Sequence, residues 1–255
     1  MCWRPAASLD ETLRFDALGW HVGVNAAALH VAFKRPQRVI SSAVFNGGVH
    51  TAQHFINLKV DMSCPLKPVC PLQAGGDDPI ADAFHAYLIP KDINPNASVG
   101  MMTAASMLST RVVHTAVDDA ELIVLLSSGL ANVRRAGDVA EHRQLDDHVA
   151  EVGTINIVFG VSRPLNDAAM VEAHSIITEA KCAVLQERGI LSPVSNEIAT
   201  GTGTDACAVI APQPQDDINN APIRFCGKHT LLGEQLARAV MGALHDSLDY
   251  QATPQ

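Results

Sequence analysis

The chain is poor in the features that mark several common functions. Aromatic residues make up 4% of its 255 residues, and Lys plus Arg total 18 against 27 Asp plus Glu, a net charge of -9. Few rings and an acidic balance argue against base stacking and against a nucleic-acid or anionic-membrane partner. No uninterrupted apolar run is long enough to span a bilayer. The opening MCWRPAASLDETLRF has one early arginine, then acids, and no apolar h-region, so no secretory signal is expected. Six cysteines (Cys2, Cys64, Cys70, Cys182, Cys207 and Cys226) are scattered without a framework, which suits a reducing, cytoplasmic setting. Cys64 and Cys70 are wrongly spaced for a zinc knuckle. With no C-x-x-C, no H-E-x-x-H and no paired His/carboxylate cluster, a metal hydrolase is not expected. A Walker A loop, G-x-G-x-x-G and G-x-S-x-G are missing as well.

What is present is an ordinary globular composition, 47% hydrophobic and 18% charged, with no linker dividing it. Residues 1–18 read as a poorly ordered leader and 19–250 as a single domain, with loop excursions near 61–78 and 134–151. Apolar runs on either side of Lys34–Gln37 (KRPQ) predict a hairpin turning at that point. Further strands are expected at 54–60, 99–105, 111–117, 121–127, 154–161 and 207–210. Asp78-Pro79 opens a helix through Tyr87. Asn166 caps a helix that Gly189 stops, with Met170, Ile177 and Val184 on one face. A last helix runs from Thr230 to about Leu248. Strands early and long helices late predict an α/β (α+β) fold, a mixed or antiparallel sheet covered by helices.

Four constellations can carry chemistry. In Ala199–Ala206 (ATGTGTDA), Gly201 and Gly203 alternate with Thr200, Thr202 and Thr204, so backbone can approach a ligand closely and hydroxyls stand beside it. Asp205 adds a carboxylate where the next strand begins. The plain alternative is a turn with satisfied hydroxyls. In Ser41–Gly48 (SSAVFNGG), Asn46-Gly47 signals a hairpin; the functional reading has a strand end delivering Ser42 and Asn46, followed by Gly47 and Gly48, to a cleft. In Gly227–Glu234 (GKHTLLGE), Thr230 is an N-cap and His229 lies just outside the helix, either an acid/base or a surface side chain. Gly233 in the first helical turn costs roughly 1 kcal/mol against Ala, which close packing or close ligand approach would justify. In Thr178–Lys181 (TEAK), Lys181 borders the apolar stripe and must find a polar partner or snorkel. Glu179 points the opposite way, as a solvated helix acid does.

In this order the segments VISSAVFNGG, HFINLKV, VGMMTAAS, SGLANVRRAGD, GTINIVFGV, TEAK, ATGTGTDA and GKHTLLGE resemble the adenosylcobinamide amidohydrolases over roughly residues 38–243. The resemblance implies hydrolysis of the amide joining the aminopropanol arm to the corrin ring, yielding adenosylcobyric acid for cobalamin salvage. The corrinoid is then substrate and not cofactor, so no cofactor is expected, and no D-x-H-x-x-G signature for cobalt ligation is present. Phe225 stands where a tyrosine is expected. Asp205, His229 and Lys181 are the candidate catalytic residues. Ser42, Asn46, Gly47, Gly48, Glu179 and the run Thr200, Gly201, Thr202, Gly203 and Thr204 are the candidate substrate contacts. Asp205 or His229 would be the base, His229 the acid for the leaving amine, and Lys181 the group orienting Asp205 or the substrate. The backbone N–H groups of 201–204, with Asn46, would hold the oxyanion. A hydroxyl nucleophile from Ser42, Thr202 or Thr204 is the rival route. A non-catalytic corrinoid-binding module and a phosphate-ligand enzyme using TGTGT as an anion nest stay open, as does homo-oligomerisation.

Overall fold

The computed structural model describes residues 12–60, 78–141, 154–216 and 221–252, and the short strand β1 at Cys2–Trp3. The excursion expected at 61–78 falls almost wholly outside these residues, as does much of that at 134–151. Among these residues eleven further strands and three α-helices follow in order: β2 (Leu13–Ala17), β3 (Trp20–Val24), β4 (Ala28–Ser41), β5 (Gly48–Lys59), α1 (Pro79–Leu88), β6 (Ser98–Thr103), β7 (Arg111–Val117), β8 (Ala120–Ser128), β9 (Val133–Arg134), β10 (Ile155–Val161), α2 (Asp167–Glu187), β11 (Gly201–Thr202), β12 (Ala206–Pro212) and α3 (Leu231–Ala252). The class is α+β in one domain, with a mixed sheet covered by helices.

Ten strands make one sheet, in the order β1-β7-β8-β10-β12-β4-β3-β2, with β5 on β4 and β6 on β5. β4 pairs with β5 along both of its halves, but with β3 through residues 29–33 and with β12 through 37–41. A register shift between Ala32 and Gln37 separates the halves. This corrects the hairpin expected at KRPQ. Pro36 sits at the irregularity, where its missing N–H breaks no ladder, so the strand continues through it.

Side-chain alternation shows how the sheet folds over itself. On β8, β10 and β12, Leu122, Val124, Leu126, Ile155, Ile157, Phe159, Cys207 and Val209 face α2 and α3. Their alternates Ile123, Leu125, Val158, Ala206, Ala208 and Ile210 pack instead against Trp20, Val22, Val31, Phe55, Val99 and Met101 of the second layer. That interface is close: a Cβ on Gly160 would lie 1.9 Å from the Trp20 ring. α1 covers the far side through Phe84 and Leu88 against Ile56 and Leu58. The order is therefore helices, sheet, sheet, helix. Met170, Ile177 and Val184 are fully buried on α2, each contributing about 1.5–3 kcal/mol over exposure.

The caps act as the sequence suggests. Asp78 accepts from the N–H groups of Ile80 and Ala81, Asn166 from Ala169, and Thr230 from Gly233. Gly189 takes φ 61° after α2. Leu13–Ala17, placed by sequence in the loose leader, is instead an edge strand paired with β3. Among the described residues, no helix is long and apolar enough to cross a membrane.

Candidate active site

β10 and β12 are parallel, Asn156 opposite Ala206, and α2 is the crossover between them. A parallel crossover must bring the chain back to the end of the sheet where it started. The later turns of α2 therefore return to the edge where β10 and β12 begin and antiparallel β8 ends. The run 199–205 crosses this edge. β11 pairs there with β9, Gly201 opposite Arg134 and Thr202 opposite Val133. So Arg134, read from sequence as the start of a surface excursion, belongs to the ladder that holds the Gly/Thr run.

Four donors converge on the Asp205 carboxylate. Oδ1 accepts from the Ile155 N–H at 3.0 Å and from Thr202 Oγ1 at 2.6 Å; Oδ2 accepts from the Thr202 N–H at 3.1 Å and from Lys181 Nζ. The two ionic side chains are 8% and 12% exposed, so this is a buried pair, stable only because the carboxylate's other lone pairs are also filled. Lys181 thus finds a partner and does not snorkel. Asp205 is its only acceptor among the described residues, which leaves ammonium protons for a further one. Gly201 has a steric reason here: a Cβ would sit 2.1 Å from Asp205 Oδ2 and 2.7 Å from Lys181 Nζ.

The hydroxyls divide by role. Thr202 Oγ1 donates to the carboxylate. Thr204 Oγ1 accepts from the Asn132 amide at 3.4 Å, and Thr200 Oγ1 from the Ala136 N–H at 2.8 Å. Ser42 Oγ accepts from the Cys207 N–H, while its own N–H donates to Cys207 O, tying the end of β4 to β12. The backbone N–H groups of Thr200, Thr202 and Gly203 are committed to Arg134 O, Asp205 and Asn132 O. Those of Thr202 and Gly203 are therefore not free for the oxyanion role expected of the run. Burial pushes the nearby Cys207 thiol up to about 11, so it is not a thiolate nucleophile at neutral pH. His174, on the same flank of α2, is lowered by burial first and by Lys181 second.

Beside this centre runs a buried polar chain that sequence reading missed. Asn57 donates to Ser127 Oγ at 2.8 Å, and Asn156 donates to Asn57 Oδ1 at 2.7 Å and to Met102 O at 2.8 Å. Thr154 Oγ1 lies 2.5 Å from Thr204 O. The available signal was an inward polar residue in otherwise apolar strands, Asn57 in HFINLKV and Asn156 in TINIVFGV.

Other expected residues lie elsewhere. The Asn46 amide donates to Pro95 O and Ser98 O at 3.0 and 2.8 Å, which takes up the donors proposed for an oxyanion. Asn46 has φ 51°, and a Cβ on Gly47 would meet Ala43 O at 2.0 Å, so the Asn46–Gly48 segment is a tight structural turn between β4 and β5. Glu179 pairs with Lys228, and Glu172 accepts from the Cys226 N–H at 2.6 Å, so both face the loop before α3. His229 packs over Gly227 in that loop, exposed, with its ring centroid 6.2 Å from Phe225. By helical count Glu172 and Glu179 stand on the flank of α2 opposite Lys181. His229 is thus not brought to Asp205. Gly233 is explained by close packing: a Cβ there would meet Gly227 O at 2.2 Å. An open groove of about 510 Å³ lined by Arg14, His30, Tyr87 and Lys91 lies between β2–β4 and α1, and holds none of the residues singled out by sequence. Among the described residues no group of three His, Cys, Asp or Glu side chains could hold a metal ion.

Two of the three matches to known proteins name one family. The sequence profile described as adenosylcobinamide amidohydrolase matches residues 17–254. An uncharacterised protein of Methanocaldococcus jannaschii is 30% identical over 162 residues, 58% of this chain and 61% of that protein. The adenosylcobinamide amidohydrolase of Methanosarcina mazei is 26% identical over 159 residues, 62% of this chain and 70% of the relative. The match thus spans about three fifths of the first relative's length.

Proposed function

Because the chain belongs to the adenosylcobinamide amidohydrolase family, we propose that it hydrolyses the amide joining the aminopropanol arm to the corrin ring of adenosylcobinamide. The products are adenosylcobyric acid, for cobalamin salvage, and the free amino alcohol. The observation that supports this reading is the Lys181–Asp205–Thr202 group. It puts a cation with protons to spare, a carboxylate and a hydroxyl on one edge of the sheet.

Amide hydrolysis needs an attacking oxygen, an acceptor for its proton and a donor for the developing oxyanion. Lys181 is the oxyanion donor in this scheme, since Asn46 and the Thr202 and Gly203 N–H groups are engaged. Asp205 accepts the proton of the attacking oxygen. Among the three hydroxyls considered, only that of Thr202 already donates to this carboxylate, so the scheme makes Thr202 Oγ1 the nucleophile. Its oxygen bonds to the amide carbon, the C–N bond breaks, and the departing amine takes up the proton that Asp205 received from Thr202. Water then hydrolyses the acyl-threonine. The corrinoid is the substrate, held by shape and hydrogen bonds, and no separate cofactor takes part. The setting is the cytoplasm, where Cys182, Cys207 and Cys226 stay reduced.

One observation favours a second reading. A carboxylate with four donors is a better anchor than a base, as a corrinoid-binding module without turnover would have it. Incubation of the purified protein with adenosylcobinamide, followed by mass analysis of the corrinoid, separates the two. Conversion to adenosylcobyric acid supports hydrolysis; tight binding with no product supports the binding module.

A further inference from the structure

The amides of Asn57 and Asn156 lie 3% and 1% exposed between the two sheet layers, where the neighbouring inward side chains are apolar. Their hydrogen bonds cross that interface repeatedly. Ser127 on β8 accepts from Asn57 on β5; Asn57 accepts from Asn156 on β10; Asn156 also donates to Met102 O on β6. A buried amide pair contributes little net stability over apolar side chains of the same size, because each group gives up its water to gain its partner. Stability alone does not account for placing two amides here. Their position does. Asn156 is the second residue of β10, and the two residues before it hold the Gly/Thr run. The Ile155 N–H donates to Asp205 Oδ1 at 3.0 Å. Thr154 Oγ1 lies between two acceptors, Thr204 O at 2.5 Å and Asn156 Oδ1 at 3.0 Å, and its single proton goes to the nearer one.

We propose that Asn57 and Asn156 are positioning residues. They clamp the start of β10 to the second layer, and through Thr154 and Ile155 this sets where Thr204 and Asp205 stand. The clamp explains how a run with two glycines can present Thr202 and Asp205 in one arrangement. It rests on the reading of the Lys181–Asp205–Thr202 group as the reacting site, and it has the clamp residues act through Thr204 and Asp205 rather than on substrate.

The variants are Asn156→Leu, Asn57→Leu and Thr154→Val, nearly isosteric changes that delete the polar link, with Thr154→Ser retaining the hydroxyl. Two readouts are taken on each: steady-state turnover of adenosylcobinamide, and amide hydrogen exchange of Thr202, whose N–H is held by Asp205. Displacing reacting groups by about an ångström lowers kcat on the order of 100-fold, so kcat should fall by roughly 10- to 100-fold in the three deleting variants. KM should stay within about threefold, and Thr154→Ser should retain nearly full activity. Exchange of Thr202 should quicken by at least about tenfold while the amides of β12 and α2 keep their protection. If the deleting variants keep wild-type kcat and Thr202 protection, or lose protection evenly across β10, β12 and α2 with kcat unchanged, the proposal is overturned. Should the wild type show no turnover, the functional reading fails, and the exchange pattern still decides the clamp.

Discussion

Lys181 Nζ and Asp205 Oδ2 meet over the space that Gly201 leaves by having no side chain. A methyl group at 201 would overlap both atoms, so Gly201→Ala must part the ion pair or move the run. We expect this variant to fold and to lose on the order of 100-fold in kcat. Lys181→Met, which strands a buried carboxylate, should lower stability by about 3 kcal/mol. The double variant Lys181→Met/Asp205→Leu should recover part of that stability and none of the activity. Urea denaturation beside turnover measurements checks all three. An active Gly201→Ala enzyme would contradict the stated packing.

Thr202 donates to Asp205 at 2.6 Å. Thr202→Val should reduce turnover by at least about 100-fold, and Thr202→Ser should retain most of it. Acid quenching during turnover, with mass analysis of peptides covering 199–206, should capture an acyl group on Thr202. Steady turnover with no adduct, also under hydroxylamine, would make water the attacking group and leave Thr202 to position it.

His229 stands with Phe225 and Lys228 on the other flank of α2. His229→Ala should therefore keep kcat within about tenfold of wild type, because a residue that does not reach the reacting groups takes no part in stabilising the transition state. A loss of about 1000-fold in kcat at unchanged KM would assign His229 to the chemistry.

His30 is lowered to about 4, by burial first, then by His54 and Lys91; its Nε2 lies 3.1 Å from His54 Nδ1. The native state thus favours neutral His30, while the unfolded chain takes up a proton below about 6.5. The stability this confers is fully present above pH 6.5 and is lost as pH falls toward 4, by at most about 3 kcal/mol. Urea midpoints at pH 7.5 and 4.5 should show this drop, and His30→Gln should shrink it. An equal drop in the variant would place the effect elsewhere.

Much of the scaffold was legible because it depends on local rules. Asp78-Pro79, Asn166, Gly189 and Thr230 mark helix ends by chemistry confined to one turn, and the buried strands β8 and β10 are continuous apolar runs. KRPQ misled because a proline reads as a turn, yet a strand tolerates one where an irregularity removes the need for its N–H. Leu13–Ala17 was obscured by its brevity at an edge. At the site, the link of Lys181 to Asp205 was partly legible: a lysine bordering an apolar stripe demands a partner. The Asn57–Asn156 contact was not, because it joins residues 99 apart in sequence across two layers. Nor could spacing show that Asn46 donates to Pro95 and Ser98, or that His229 settles on the far flank of α2.

The central claim is that the Lys181–Asp205–Thr202 group cleaves a corrinoid amide. Its most direct test is a single-turnover comparison of the wild type and Asp205→Asn, each in excess over adenosylcobinamide, with bound and released corrinoid identified by mass. The account predicts adenosylcobyric acid and free aminopropanol from the wild type, and bound, unconverted adenosylcobinamide from the variant. Unconverted corrinoid on both proteins, or equal product from both, would contradict it.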